Sequence, residues 1–139
     1  MDGEWKKLIE QIKKNNIEAI KLCKQLKSIF TDINMKNGKY QEHNGIMWYK
    51  DDKRHRDDGP ACEYNNGNKA WWQNGKIHRI GAPAVQYHDG CLVYYYNGLR
   101  HRLDGPAAIY PNGDVEYWIN GKEFGTIEQY EKEIIRLTS

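Results

Sequence analysis

Three histidine–arginine pairs, His55-Arg56, His78-Arg79 and His101-Arg102, recur every 23 residues and are the most chemically suggestive groups in the chain. Imidazoles in series could form a metal ladder, and an imidazole beside other titratable groups could act as a general base. Spacing argues against both. A hairpin repeat advances two strands, so equivalent atoms lie roughly 9–10 Å apart, whereas nitrogen ligands sit only about 2.0–2.1 Å from a shared zinc ion. Catalysis needs unlike groups converging on one point, and three equivalent copies are the opposite pattern. The chain has no nucleophile–base pair, no phosphate loop and no paired acids outside turns. No catalytic residue, metal ligand or cofactor is assigned. The histidines are expected to bond backbone carbonyls at a turn, and Arg56 and Arg102 to pair locally with Asp58 and Asp104.

Aromatic side chains offer a binding surface instead. Trp48, Trp71, Tyr94 and Tyr117 form one column at the same period, and Tyr49, Trp72, Tyr95 and Trp118 form the adjacent one. Neighbouring strand residues point to opposite faces, so one column should face the core and the other outward. Which column is buried is left open. Tyr64, Tyr87 and Tyr110, from the partner strands, are expected to slot between the rings of a column. An exposed aromatic row marks a partner site. The candidate binding residues are thus Trp48, Trp71, Tyr94 and Tyr117 together with Arg56, Arg79 and Arg102.

The elements that must position these residues follow from two series of turn signals. Asn66-Gly67, Asp89-Gly90 and Asn112-Gly113 form one; Asn74-Gly75, Asn97-Gly98 and Asn120-Gly121 form the other. Such dipeptides accept the positive φ of a tight hairpin turn, and the residues between them are β-branched or aromatic. Each repeat should be a β-hairpin. Asp58-Gly59-Pro60 and Asp104-Gly105-Pro106 should mark the step between units, because proline cannot donate a ladder hydrogen bond. The middle copy departs here, with Gly81-Ala82-Pro83. A worn half-copy precedes the three, with Asp51-Asp52 where the others have Asn-Gly, so the array should run over 45–124. A 23-residue unit cannot shield its own apolar face and must stack on its neighbours.

The NGKIH stretch, the small-residue turn, the strand ending in tyrosine and the aromatic pair before the next Asn-Gly resemble MORN-type repeats, in the variant with an HRxDGPA signature. That variant is similar to one in proteins of large DNA viruses and in some bacterial and phage proteins. The resemblance covers residues 45–124 and implies a stacked β-hairpin array that serves as a scaffold or partner-binding surface, with phospholipid association a further role of such arrays. The histidine–arginine turn departs from the commoner HGxG form, which weakens a lipid role carried over from it. The abundance of Lys, Asn and Ile is in keeping with an AT-rich genome and a viral source.

Helical patterns flank the array. Residues 1–33 contain good helix formers and no proline, with Trp5, Leu8, Ile9 and Ile12 on one stripe and Leu22, Leu26, Ile29 and Phe30 on another. Asn15-Asn16 lies between the stripes, which is compatible with one bent helix or a helical hairpin. Residues 126–138 read as a short helix capped by Thr126, with Gln129 completing a capping box and Ile127, Tyr130, Ile134 and Leu137 facing inward. Both helical segments should cap the array and cover its edge strands.

Composition bounds the rest. A chain of 139 residues with a mean hydropathy of −0.94 suits one soluble domain without a membrane span. No secretory leader is visible, and Cys23, Cys62 and Cys91 lack metal-type spacing, which fits reduced thiols in the cytoplasm, that of the host cell for a viral protein. Cys62 shares the register of Val85 and Ala108 and should be a small core residue. Residues 1–30 hold seven lysines against four acids, a net +3 within a total of +2. The expected fold is therefore mainly β, a stacked hairpin array with helical ends. The expected function is that of a non-enzymatic adaptor gripping a protein partner, such as a host or viral factor or the target of an immunity-type inhibitor. Peripheral phospholipid or nucleic-acid binding through the basic N-terminal helix is the alternative. No small-molecule substrate is expected, and self-association stays open.

Overall fold

The computed structural model describes residues 2–139, apart from the side chains of Asp2 and Trp5, so the stripe position of Trp5 lies outside the described residues. The chain divides into two units, one ending at Met35 and one spanning Lys36–Ser139. The first is α1 (Asp2–Asn34), one continuous helix of 33 residues rather than a helical hairpin. Asn15 does not break it, because Gln11 Nε2 donates to Asn15 Oδ1 at 2.9 Å one turn away. Both apolar stripes are exposed, from Leu8 and Ile12 to Leu26 and Phe30.

The second unit is an antiparallel β-meander of repeated hairpins with a C-terminal helix, the expected fold class. It opens with β1 (Gly38–Glu42), β2 (Gly45–Lys50) and β3 (Lys53–Arg54). The first full repeat supplies β4 (Cys62–Tyr64), β5 (Lys69–Ala70), β6 (Trp72–Gln73) and β7 (Lys76–Ile77). The second supplies β8 (Val85–Gln86), β9 (Leu92–Val93), β10 (Tyr95–Tyr96) and β11 (Leu99–Arg100). The third supplies β12 (Ala108–Ile109), β13 (Val115–Ile119) and β14 (Lys122–Phe124). The main sheet runs β1-β2-β4-β5-β8-β9-β12-β13-β14, with β3 on β2, while β6-β7 and β10-β11 form small ribbons of their own. Each repeat thus makes two hairpins. Strand β1, which pairs with β2 from Gly38 to Glu42, precedes the expected start of the array at residue 45.

The two turn series are alike in sequence but differ in backbone. At Asn74-Gly75, Asn97-Gly98 and Asn120-Gly121 both residues have positive φ, as a two-residue hairpin of the primed type requires. Asp51-Asp52 adopts the same conformation, with φ of 49° and 64°, so the worn half-copy keeps the turn without its glycine. In the other series only Gly67, Gly90 and Gly113 are left-handed. The residue before each glycine instead uses its side chain locally: Asn66, Asp89 and Asn112 Oδ1 each accept from a backbone N–H two residues on, at 2.9–3.0 Å.

The core is a single row crossing the sheet, in which Met47 pairs with Cys62, Cys62 with Ala70, Ala70 with Val85, and Val85 with Val93, which pairs in turn with Ala108. All are buried, Cys62 completely, as its register predicted. Ala61, Ala84 and Ala107 are fully buried as well. At Gly45 an added Cβ would meet Glu63 O at 2.2 Å, so β2 and β4 can approach only without a side chain there. Helix α2 (Ile127–Thr138) starts where Thr126 Oγ1 accepts from Gln129 N at 3.2 Å, the threonine half of the expected capping box. Of its expected apolar stripe only Tyr130 is fully inserted, at 4% exposure, while Ile127 and Leu137 remain exposed.

Candidate partner-binding face

Cores built of alanine, valine and cysteine bury little apolar area per repeat, so polar contacts between neighbouring strands carry much of the docking. The arginines of the histidine–arginine pairs provide it. Arg56 lies over the ring of Trp48 at 3.8 Å, Arg79 over Trp71 at 3.9 Å, and Arg102 over Tyr94 at 4.1 Å. Each spans eight residues and bridges the step between units. The same guanidinium donates through Nη1 to the carbonyl of the step proline, Pro60, Pro83 or Pro106, at 3.0–3.1 Å. In the outer copies Nε also donates to Asp58 or Asp104 at 2.9 Å, the local ion pairs the sequence suggests. Planarity makes this possible: an arginine can stack on a ring and fork toward two oxygens at once.

The seven candidate residues are therefore one construction. Six of them make three arginine–aromatic clamps; the seventh, Tyr117, has no arginine eight residues on, where Gly125 stands. Tyr130 of α2 takes that place, with ring centroids 4.8 Å apart. Its hydroxyl donates to Arg102 O at 2.8 Å and accepts from Gly105 N at 3.2 Å. The helix ends the array by imitating the missing clamp. The apolar stripe of the helix predicts that Tyr130 faces inward, but no sequence pattern signals its hydroxyl contacts.

Neither aromatic column is buried and neither is bare. Trp48, Trp71, Tyr94 and Tyr117 are half-buried, and so are Tyr49, Trp72, Tyr95 and Trp118. The second column packs toward the core, in which Tyr49, Trp72 and Tyr95 contact the buried row. Among the described residues Tyr64, Tyr87 and Tyr110 make no ring contacts with either column; Tyr64 and Tyr110 pack on the core and Tyr87 is exposed. On the first column the rings of Trp48, Trp71 and Tyr94 are covered by guanidinium groups instead. Within the second column, Trp118 Nε1 donates to Glu116 at 2.9 Å, whereas the buried Trp72 Nε1 lacks an acceptor because Ala70 stands two residues before it. Glu116 also accepts from Arg100 at 2.9 Å and from Tyr110 at 3.0 Å.

The histidines act as acceptors for N–H groups, not as donors to carbonyls. Nδ1 of His55, His78 and His101 accepts from the backbone N–H of Asn74, Asn97 and Asn120 at 2.9–3.0 Å. A primed two-residue turn leaves that N–H without a partner inside the hairpin. The imidazole 19 residues back supplies it. Gly75, Gly98 and Gly121 donate to Arg54, Ile77 and Arg100 in the same way. At the start of the array Asn37 Oδ1 accepts from Asp51 N at 2.9 Å and Lys36 O from Asp52 N at 3.0 Å. These substitutes are off the 23-residue period, which hid them. Among the described residues no three His, Cys, Asp or Glu side chains converge as metal ligands.

Comparison with protein-family models, curated proteins and solved structures finds no match for the chain. Its electrostatics must be read from its own contacts. Arginine hydrogen bonds and charge hold Asp58 and Asp104 below the usual carboxylate value. Burial lowers His101 below the usual imidazole value, which keeps Nδ1 free to accept. Burial raises the thiols of Cys62 and Cys91, so these core cysteines stay protonated and unreactive. Cys23, Cys62 and Cys91 are all free.

Proposed function

We propose that this chain is a non-enzymatic repeat adaptor of MORN-like type that binds a protein partner through the face built by the arginine–aromatic clamps. One observation carries the reading. Beside the clamp residues Arg79, Tyr94 and Arg102, the side chains of Ile80, Tyr96 and Leu103 are exposed around one shallow groove, with Leu99 opposite Tyr96 in the β10–β11 ribbon. Ile80 is 79% exposed, an isoleucine at the tip of a step turn where solubility favours a polar residue. Apolar groups rimmed by rigid arginines and tyrosines have the composition of binding hot spots. Free thiols in the core suit a reducing compartment, and we place the protein in the cytoplasm, of a host cell if its source is viral.

The test is affinity purification of the tagged chain from its native cell, beside the variants Ile80→Glu and Leu103→Glu, which alter exposed side chains. A protein co-eluting in stoichiometric amount, retained at 0.5 M salt and lost from both variants, is the expected result. Recovery of lipid or RNA alone, or retention that falls steeply with salt, overturns it.

A second reading rests on α1, where seven lysines share a helix with exposed Leu8, Ile12, Leu22, Leu26 and Phe30. That combination suits an anionic membrane surface or nucleic acid. No helix among the described residues is long and apolar enough to cross a membrane.

A further inference from the structure

Each of the three step turns is an independent trial of the same local design, and one of them is incomplete. Arg56 pairs with Asp58 at 2.9 Å and reaches Glu63 at 3.6 Å; Arg102 pairs with Asp104 at 2.9 Å. Arg79 keeps the stack on Trp71 and the bond to Pro83 O, but Gly81 stands where its siblings carry aspartate and Gln86 where Arg56 finds Glu63. Among the described residues no carboxylate pairs with Arg79. Burial holds its guanidinium below the usual arginine value, as expected for a half-desolvated cation without a counter-charge.

The middle turn differs from its siblings at both residues before its proline. In the outer turns the residue after aspartate is Gly59 or Gly105, and a Cβ there would lie 2.9 Å from the guanidinium carbon. In the middle turn that place holds Ala82, and the backbone takes another path in which Gly81 has φ of +78°. Nothing crowds Gly81: an added Cβ would have no neighbour within 4 Å. An open groove of about 320 Å³ lies beside it, lined by Arg79, Ile80, Tyr94, Tyr96 and Leu103 among others.

We propose that Arg79 is a carboxylate-binding site, in which an aspartate or glutamate side chain of the protein partner occupies the position that Asp58 and Asp104 fill in the sibling turns. This rests on the adaptor reading and names what that partner must bring: an acid flanked by an apolar residue to lie against Ile80 and Leu103. The carboxylate would accept from Nε while Pro83 O keeps Nη1, so the guanidinium is already oriented, and preorganised forks bind with little entropy loss.

The probe is N-acetyl-aspartate methylamide, with the asparagine analogue as control, titrated at constant ionic strength while the arginine Nε–H correlations are followed by NMR. Arg79 should shift saturably with the aspartate compound and not with the asparagine one, while Arg56 and Arg102 stay still. In Gly81→Asp/Ala82→Gly, which rebuilds the sibling turn, the Arg79 signal should move to the range of Arg56 and Arg102 without any probe and cease to respond. Equal movement of all three arginines, a linear unsaturated drift or a silent Arg79 overturns the proposal, and the wild-type titration decides it even if the double variant does not fold. A captured partner that binds this double variant as tightly as wild type removes the Arg79 site and leaves the adaptor reading intact. A titrating Arg79 with no protein partner captured does the reverse.

Discussion

The middle step turn and its two siblings differ in only a few side chains, and the comparison separates what the array needs from what it merely carries. All three turns keep the guanidinium over an aromatic ring, the bond to the proline carbonyl and the histidine acceptor for the next turn. Only the outer two keep the aspartate. Carboxylates that are more than four-fifths exposed are screened and contribute little to folding. Two of the three contacts retained in every copy satisfy backbone groups, the proline carbonyl and the turn N–H. Stacking of repeats is therefore set by backbone satisfaction across the step, and the ion pair is free to be lost or to be replaced from outside.

The largest effect that could break this comparison is removal of the arginine. Arg102→Ala uncovers Tyr94 and orphans Pro106 O, and should cost about 2–3 kcal/mol in urea unfolding. Arg79→Ala should cost the same although its ion pair is already missing. A markedly smaller loss at Arg79 would show that the aspartates, not the stack and the carbonyl, hold the turns together. Next comes the glycine beneath the guanidinium. Gly105→Ala places a Cβ 2.9 Å from the Arg102 guanidinium carbon and should cost about 1–2 kcal/mol through displaced packing. Ala82→Gly, the reverse change in the middle turn, should cost only the added freedom of the unfolded chain, about 0.5–1 kcal/mol.

The sequence spoke clearly wherever the chemistry is local and poorly wherever it crosses a step. Hairpins followed from Asn-Gly at a fixed period, the burial of Cys62 from its shared register with Val85 and Ala108, and the Arg56–Asp58 pair from two-residue proximity. The clamps join residues eight apart around a bend, so neither strand alternation nor helical spacing reveals them. Likewise, imidazole to Asn N–H spans 19 residues, and its direction depends on which turn type the Asn-Gly adopts. The substitutes at the ends, Asn37 for histidine and Tyr130 for arginine, share geometry with the repeats but not residue type. That is why an alignment of copies could not show them.

Acidity sharpens the comparison on the part all three turns keep. His101 has its pKa lowered from 6.5 by burial, so the unfolded chain binds the proton more readily. Stability linked to this residue is full above about pH 6.5 and lost as pH falls through the depressed folded value. Unfolding midpoints measured from about pH 7.5 to 5 should fall for the wild type and fall less for His101→Asn, whose carboxamide oxygen can still accept from Asn120 N–H. An unchanged slope would show that burial in the turn does not keep the His101 imidazole from taking up a proton.

The smallest effect is expected where the comparison began. Asp104→Ala removes the carboxylate that accepts from Arg102 Nε but leaves the stack on Tyr94 and the bond to Pro106 O. Arg102 then stands as Arg79 stands in the wild type. Its unfolding midpoint near neutral pH should scarcely move, because the carboxylate is 87% exposed and its attraction is shared with water and salt. The difference should emerge elsewhere: the Arg102 Nε–H signal should travel toward the Arg79 position and acquire its response to N-acetyl-aspartate methylamide. A folding penalty as large as that of Arg102→Ala would mean that the exposed aspartate organises the turn, and the middle copy would then need a different stabiliser from its siblings.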